Sequence, residues 1–382
     1  MSKPCPSPRR ERAQNSAGSS KTSARACVKT RRRPDGFPRG RRLLNLRCRR
    51  RGGRALMPDV PVYPNCNIGC VFCSNPVAGF RGTQDRYDYD QFLKKWRAYM
   101  RGEKGVFRKF GDTRDFVNLT GGEPTLHPDF IKILAVIRKS VPGQRIKLLS
   151  NARLFRHQGL ARLTLDVAQR PFEVAVPMFG HDRRSHESIS RAPGSFADTC
   201  AGLDNLFACR RPGQKIECRV ILTRMQMRVF HRLLPFLLNR FPGFASLELL
   251  FVEMEGFAEK YLGRLAISMT ECARRLDREY AALRRFKRLR LLHFPLCVVP
   301  RRLWPYVWNS LDPKKVTWAP GCGACRARRD CVGIGEGYAR HMGLREFKPF
   351  AARPKVPRTG NWYHPFARAR RRAAGSLKSR PL

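Results

Sequence analysis

The stretch Asp59–Cys73 reads DVPVYPNCNIGCVFC. Its first six residues form a short apolar run with β character, and three cysteines follow at once, at spacing C-x3-C-x2-C: Cys66, Cys70 and Cys73. A structural zinc ion takes four ligands, and disulfides consume cysteines in pairs. Three thiols in one loop satisfy neither without a distant partner. A strand that ends in such a loop sets the question for the rest of the chain.

The same pattern of strand then helix repeats downstream. DFVNLTGG reads as a strand and DFIKILAVIRKS as a helix; RIKLLS is a strand and QGLARLTLDVAQ a helix. FEVAVPMF, KIECRVILT and SLELLFVE read as further strands, with helices at FADTCAGLDNLFAC, VFHRLLPFLLNRF and a charged helix over residues 269–286. Upstream, YDQFLKKWRAYMRG has helical apolar spacing. Short apolar strands, each followed by a helix, are the signature of right-handed β-α units around a parallel sheet. Six units predict an α/β fold built as an incomplete (β/α)6 barrel, with its chemistry at the C-terminal ends of the strands.

The chain has 382 residues and a formal net charge of +48. Residues 1–56 carry 18 Lys/Arg against two Asp/Glu, and residues 351–382 carry nine against none. The first of these stretches lacks apolar periodicity and is predicted to be a disordered basic tail. Its Arg- and Ser-rich, acid-poor composition is also that of transit peptides. Met57 stands just before the first strand, so an early start codon is a further reading of this tail. The second stretch is a basic C-terminal tail with interspersed aromatics, a composition suited to nucleic acid or an acidic surface. No segment approaches the length of a membrane span. Fourteen cysteines without a secretion signal point to a reducing, cytoplasmic setting in which some thiols serve a metal or cluster. Cys5, Cys27, Cys48, Cys200, Cys209, Cys218 and Cys272 are scattered and read as ordinary thiols.

Two further motifs carry chemistry. LTGGEP, residues 119–124, ends the second strand, and adjacent glycines there allow close backbone approach to a ligand. Cys297, Cys322, Cys325 and Cys331 follow the last unit at spacing C-x24-C-x2-C-x5-C. Four thiols with a C-x2-C knuckle suit either zinc or an iron–sulfur cluster, and both stay open on spacing alone. GIGEG, residues 333–337, follows a cysteine rather than a strand and is no nucleotide loop.

Strand, C-x3-C-x2-C, strand, G-G-E-P resembles the radical S-adenosylmethionine (radical SAM) superfamily over about residues 58–350. The resemblance implies that Cys66, Cys70 and Cys73 hold three irons of a [4Fe–4S] cluster, and that S-adenosylmethionine binds the fourth. It implies reductive cleavage to a 5'-deoxyadenosyl radical. It places Phe72 near the adenine and Gly121, Gly122 and Glu123 at the methionine amino group. Ser150 and Asn151, in LLSNARLF, take a polar contact to the cofactor; an Asx-type turn is their alternative reading. Ser190 and Arg191, in HESISRAPGSF, are candidates for a further contact, with Arg191 pairing a carboxylate. Glu187 stands where the family usually has Asp.

After such a barrel, the second cysteine set resembles the SPASM auxiliary-cluster domain or its shorter twitch form. The full SPASM pattern has one more cysteine where this chain has Gly335, so the resemblance implies one closed second [4Fe–4S] cluster with a structural or electron-transfer role. LTGGEPTL, LLSNARLF, the GSF helix start, EMEGFA and PLCVVPRRLWPYVW are similar to peptide maturases of the His-Xaa-Ser system. Those relatives follow their last cysteine with a second glycine and aromatics, where this chain reads CVGIGEGYARHMG. The domains expected are a barrel over 57–290 and a twitch-like domain over 291–350. The expected function is radical modification of a ribosomal peptide or small protein, with a flavodoxin or ferredoxin as electron donor. Radical chemistry on a small molecule or RNA is the alternative, and a non-enzymatic iron–sulfur or zinc protein is the other.

Overall fold

The structure is a computed structural model in which residues 58–74, 84–107 and 116–368 are described. The N-terminal tail expected over 1–56, with Cys5, Cys27 and Cys48, lies outside the described residues, as do residues 369–382.

Eight parallel strands form one sheet: β1 Asp59–Tyr63, β2 Phe116–Gly121, β3 Arg145–Leu149, β4 Phe172–Pro177, β5 Gln214–Leu222, β6 Ser246–Phe251, β7 Leu289–Leu292 and β8 Val307–Trp308. Their order across the sheet is their order along the chain, from β1 at one edge to β8 at the other. Sequential parallel strands need a crossover each, and right-handed crossovers put every helix on the same face. The helices are α1 Tyr89–Met100, α2 Phe130–Ser140, α3 Gln158–Ala168, α4 Arg183–Ser190, α5 Ser195–Cys209 and α6 Arg224–Arg240. Local chemistry starts several of them. Asp88 caps α1 by accepting from Gln91 N–H at 2.7 Å, and Thr223 caps α6. Asp182 and Ser185 form a reciprocal capping box on α4.

The two-residue alternation of a strand sorts its side chains. In β5, Ile216, Cys218, Val220 and Leu222 are fully buried in the main core, together with Leu247 and Leu249 of β6 and Phe230, Leu233 and Leu237 of α6. The opposite face carries charges: Lys147 on β3, Glu173 on β4, Glu217 and Arg219 on β5, Glu248 on β6 and Arg290 on β7. This face is the inner side of the curved sheet.

The α/β parallel architecture expected from sequence is present, with two strands more than the six units predicted. LRLL lies among basic residues and VW is only two residues long, which hides their periodicity. The boundary expected after residue 290 therefore falls inside β7. The charged helix expected over 269–286 stops at Arg278, where Glu279 N–H bonds back to Arg275 and Asp277 carbonyls, and a separate turn covers Tyr280–Leu283. Beyond β8, β9 Val316–Thr317 and β10 Ile334–Gly335 pair antiparallel, and β11 Arg358–Asn361 pairs with β12 His364–Phe366. The second hairpin lies within the stretch expected as a basic tail. It docks on the β8 end, where Asn309 N–H donates to the Tyr363 carbonyl at 2.9 Å. Among the described residues, no helix is long and apolar enough to cross a membrane.

Candidate functional site

The C-x3-C-x2-C loop leaves β1 at the C-terminal edge of the sheet and is pinned from four sides. Gly122 N–H donates to Tyr63 carbonyl at 2.7 Å and Glu123 N–H to Asn65 carbonyl at 2.7 Å. Gly69 N–H donates to Ser190 carbonyl at 2.8 Å and Val71 N–H to Ile189 carbonyl at 3.1 Å, which ties the loop to the end of α4. Arg153 donates to Asn67 carbonyl at 2.6 Å while its other guanidinium nitrogens hold Asp198. Phe257 N–H donates to Cys73 carbonyl at 3.0 Å.

The two glycines of GGEP are required by this packing. A Cβ on Gly121, at φ +137°, would lie 2.3 Å from Tyr63 carbonyl oxygen, and one on Gly122 would lie 2.2 Å from that of Asn65. The sequence reading attributed the glycines to a ligand; the backbone that approaches them here is that of the cysteine loop itself. Glu123 is buried and fully engaged. Its carboxylate accepts from Thr125 Oγ1 at 2.7 Å, Ser150 Oγ at 2.8 Å, Asn151 N–H at 2.7 Å and Thr125 N–H at 3.2 Å. Burial pushes its carboxyl above the usual range against these donors. Glu123 thus clamps the end of β2 to the end of β3.

Ser150 and Asn151 realise the turn reading: Ser150 Oγ accepts from Ala152 N–H and Asn151 Oδ1 from Arg153 N–H, each at 3.0 Å. Asn151 Nδ2 also faces the cysteine loop, at 2.7 Å from Asn67 Oδ1 and 3.8 Å from Cys66 Sγ. Phe72 packs edge-on against Phe179 at 5.5 Å. Ser190 is buried with its hydroxyl on Ser195 Oγ at 2.7 Å, so its carbonyl is the group that meets the loop. Arg191 is exposed beside Gly69, in the left-handed region at φ +53°, and donates to Tyr261 hydroxyl at 2.6 Å. All three thiols are half-buried. Burial pushes Cys66 up to about 11, and burial with the charges of Cys66 and Cys73 pushes Cys70 well above the usual thiol range. Cation binding there displaces protons.

The second set converges as well. Cys297, Cys322, Cys325 and Cys331 line one pocket, together with apolar walls from Leu296, Trp318, Ile334 and Phe347. The β9–β10 pair closes the loop that carries three of them. Gly333 N–H points to Cys331 Sγ at 3.5 Å and Phe350 N–H to Cys325 Sγ at 3.4 Å. Such donors favour thiolates and tune a cluster. Burial pushes Cys297 up to about 12. Among the described residues, no three Cys, His, Asp or Glu side chains are drawn to the single point one metal ion demands. The donor set of this pocket is four thiols, which suits zinc or an iron–sulfur cluster.

Two features of the structure have no counterpart in the sequence motifs. The inner face holds a buried charge ladder: Lys147 Nζ lies 2.9 Å from Glu217 and 3.6 Å from Glu248, and Glu248 also meets Arg219 at 3.0 Å and Arg290 at 2.5 Å. Burial opposes the Glu248 charge, but Lys147, Arg219 and Arg290 outweigh it and hold the carboxyl well below the usual range. Alternating charge in LRLLHF or RIKLLS was the only signal. A second pocket lies at the end of β6, lined by Glu253, Glu255, His293, Lys315, Gly337 and Tyr338. The GIGEG and EMEGFA stretches supply parts of its wall, and Gly256 backs directly onto Cys73, where a Cβ would meet the carbonyl oxygen at 2.9 Å.

Residues 60–217, from β1 into β5, match the family model of the Radical SAM superfamily. Over those residues the chain matches a radical SAM domain. A GTP 3',8-cyclase of Edwardsiella ictaluri (strain 93-146) is 30% identical over 143 residues, which are 37% of this chain and 39% of that protein. Streptococcus suis SuiB bound to S-adenosylmethionine aligns at TM-score 0.44 and 14% identity, over 60% of this chain and 48% of that one. The structure of anSMEcpe with bound AdoMet and Cp18Cys peptide aligns at TM-score 0.36 and 16% identity, over 50% and 48%. The chain thus spans about two fifths of the curated relative and about half of each solved structure. The radical SAM domain contains Cys66, Cys70, Cys73, the GGEP turn, Ser150, Asn151, Ser190 and Arg191; the four-cysteine cavity lies beyond it.

Proposed function

We propose that the chain is a radical SAM enzyme that modifies a ribosomally made peptide or small protein. The observation that carries the reading is the three-cysteine loop seated on the Gly121–Gly122 turn at the C-terminal edge of the parallel sheet, inside the radical SAM domain. Three thiols in that loop suit a [4Fe–4S] cluster with one iron left for S-adenosylmethionine. Cluster and cofactor bound there supply one-electron cleavage of the sulfonium and a 5'-deoxyadenosyl radical that takes a hydrogen atom from substrate.

This chain's own residues bind and orient. The N–H groups of Gly122 and Glu123 are spent on the cysteine loop, so the carbonyl oxygens of the turn have the polarity that the methionine ammonium needs. Arg191, exposed beside Gly69, suits the methionine carboxylate, with Tyr261 steadying it. Phe72 offers an aromatic face for the adenine. Asn151 holds the loop at Cys66. The four-cysteine pocket suits a second [4Fe–4S] cluster of twitch type, in a cytoplasmic enzyme whose electron donor is a flavodoxin or ferredoxin. The motifs shared with His-Xaa-Ser maturases favour a peptide substrate, and the basic surface favours an acidic leader.

The test is anaerobic reduction with S-adenosylmethionine, followed by co-expression with the small open reading frames encoded beside the gene. Formation of 5'-deoxyadenosine and a peptide lighter by about two mass units is the expected result: one hydrogen atom leaves on 5'-deoxyadenosine, and the second as a proton and an electron. The 30% identity to a GTP 3',8-cyclase favours a second reading, radical chemistry on a small molecule. Consumption of a nucleotide or metabolite, with no peptide changed in mass, would establish it instead.

A further inference from the structure

The loop over the four-cysteine cavity is thin and ringed by cations. Its residues Pro320, Gly321, Gly323 and Ala324 are exposed, between half-buried Cys322 and Cys325. A Cβ on Gly323 would meet nothing within 4 Å, whereas one on Gly321 would meet the Pro349 ring at 3.2 Å, so the bare part of the strip is Gly323 with the small Ala324 beside it. Arg326, Arg328, Arg329 and Lys348 are all exposed around it. Arg328 covers the Trp318 ring at 4.7 Å, and both residues line the cavity, as does Lys348. The acid in this loop, Asp330, is turned away and paired with Arg358 at 2.8 Å. A bare wall lets a partner come close to the thiols, and the uncompensated positive rim selects one that is negatively charged.

We propose that this face is the docking surface for a small acidic one-electron carrier protein, which reaches the four-cysteine site through the Gly321–Ala324 strip. The inference rests on the reading of that site as an iron–sulfur centre. With a flavoprotein carrier, the anionic flavin hydroquinone would give up one electron and become the neutral semiquinone, and a cluster held by the four cysteines would accept that electron, with no proton transferred. The rim steers the encounter, so association is fast at low salt and falls as ions screen it.

The test uses purified flavodoxin as probe and the full chain with its clusters assembled. Binding is followed by calorimetry from low to high salt, and electron transfer by stopped-flow absorbance of the flavin. Arg326→Glu with Arg329→Glu is expected to weaken binding by about tenfold or more and slow electron transfer in proportion, with iron content unchanged. A control pair on another basic stretch, Arg284→Glu with Arg285→Glu, is expected to change affinity less than about twofold. Equal loss in both pairs, no loss in the rim pair, or equal competition by a single-stranded oligouridylate would overturn the docking surface. Zinc in place of iron at the four-cysteine site, read by metal analysis, would defeat the iron–sulfur reading and the electron role with it. The binding data separate that failure from a wrongly placed surface.

Discussion

Gly122 lies directly against the carbonyl of Asn65, so close that a Cβ would sit 2.2 Å from the oxygen, while its N–H donates to Tyr63 carbonyl at 2.7 Å. The end of β2 is thereby the seat of the cysteine loop. Gly122→Ala is expected to lift that loop. Overpacking of this kind costs about 1–3 kcal/mol, and the chain has few soft atoms there to yield. The folded variant should bind about half the iron of the parent and make no 5'-deoxyadenosine. Iron analysis and chromatography of the reaction check both; full iron with full activity would show that the seat tolerates a methyl group.

The two cysteine sets should load independently, since they lie in separate loops and share no wall of the four-cysteine cavity. Cys→Ala at positions 66, 70 and 73 should remove about half of roughly eight irons and abolish S-adenosylmethionine cleavage. Changing Cys297, Cys322, Cys325 and Cys331 together should remove the other half and leave slow, substrate-free cleavage. Loss of all iron from either variant would show that the sites assemble as one.

Lys147 is buried on the inner face with Glu217 at 2.9 Å, and side-chain exposures are 5% and 0%. Lys147→Ala leaves the buried Glu217 with Arg219 at 3.3 Å and Ser246 Oγ at 3.2 Å as its remaining partners, and burial already pushes its carboxyl up to about 8, so the loss should fall below the ~3–5 kcal/mol of a pair broken with no other partner. Replacing both, as Lys147→Met with Glu217→Leu, removes the buried carboxyl as well and should recover at least half of that loss. Urea unfolding of the single and double variants gives the coupling energy, and simple additivity would show that the pair contributes nothing.

His186 is buried between Phe179 and Phe196, with ring centroids at 5.0 and 5.6 Å, and its Nδ1 accepts from Phe179 N–H. Burial lowers its pKa from 6.5 to about 4. The unfolded chain therefore takes up a proton that the folded chain refuses. The stability tied to this residue is complete above the unfolded value and is lost as pH falls from about 6.5 to 4, by about 3 kcal/mol in all. His186→Gln keeps an acceptor for Phe179 and removes the titration, so its stability should fall less steeply over that interval. Parallel pH profiles for the two proteins would rule the effect out.

The alternation of strand and helix was legible in the sequence because each strand's apolar run and each helix's spacing are local properties of the chain. The cysteine spacings were legible for the same reason. What defeated the reading was either too short or too charged to show a period: Leu289–Leu292 among arginines, Val307–Trp308 in a two-residue strand, and the break at Glu279 in a helix whose composition is uniform.

By itself, then, the sequence determined the parallel α/β class, the position of the C-x3-C-x2-C loop after the first strand, and the grouping of seven thiols into two sets. Only the tertiary structure decided what those pieces touch. The need for glycine at 121 and 122 comes from the backbone of residues 63–65, more than 50 positions earlier in the chain. Ser190 meets Gly69, and Gly256 meets Cys73, across still longer separations. Lys147 finds Glu217 because β3 and β5 turn the same side chains toward one face. Contacts of this kind follow from which strands lie side by side and how closely their ends pack, and no local pattern of residue types encodes that.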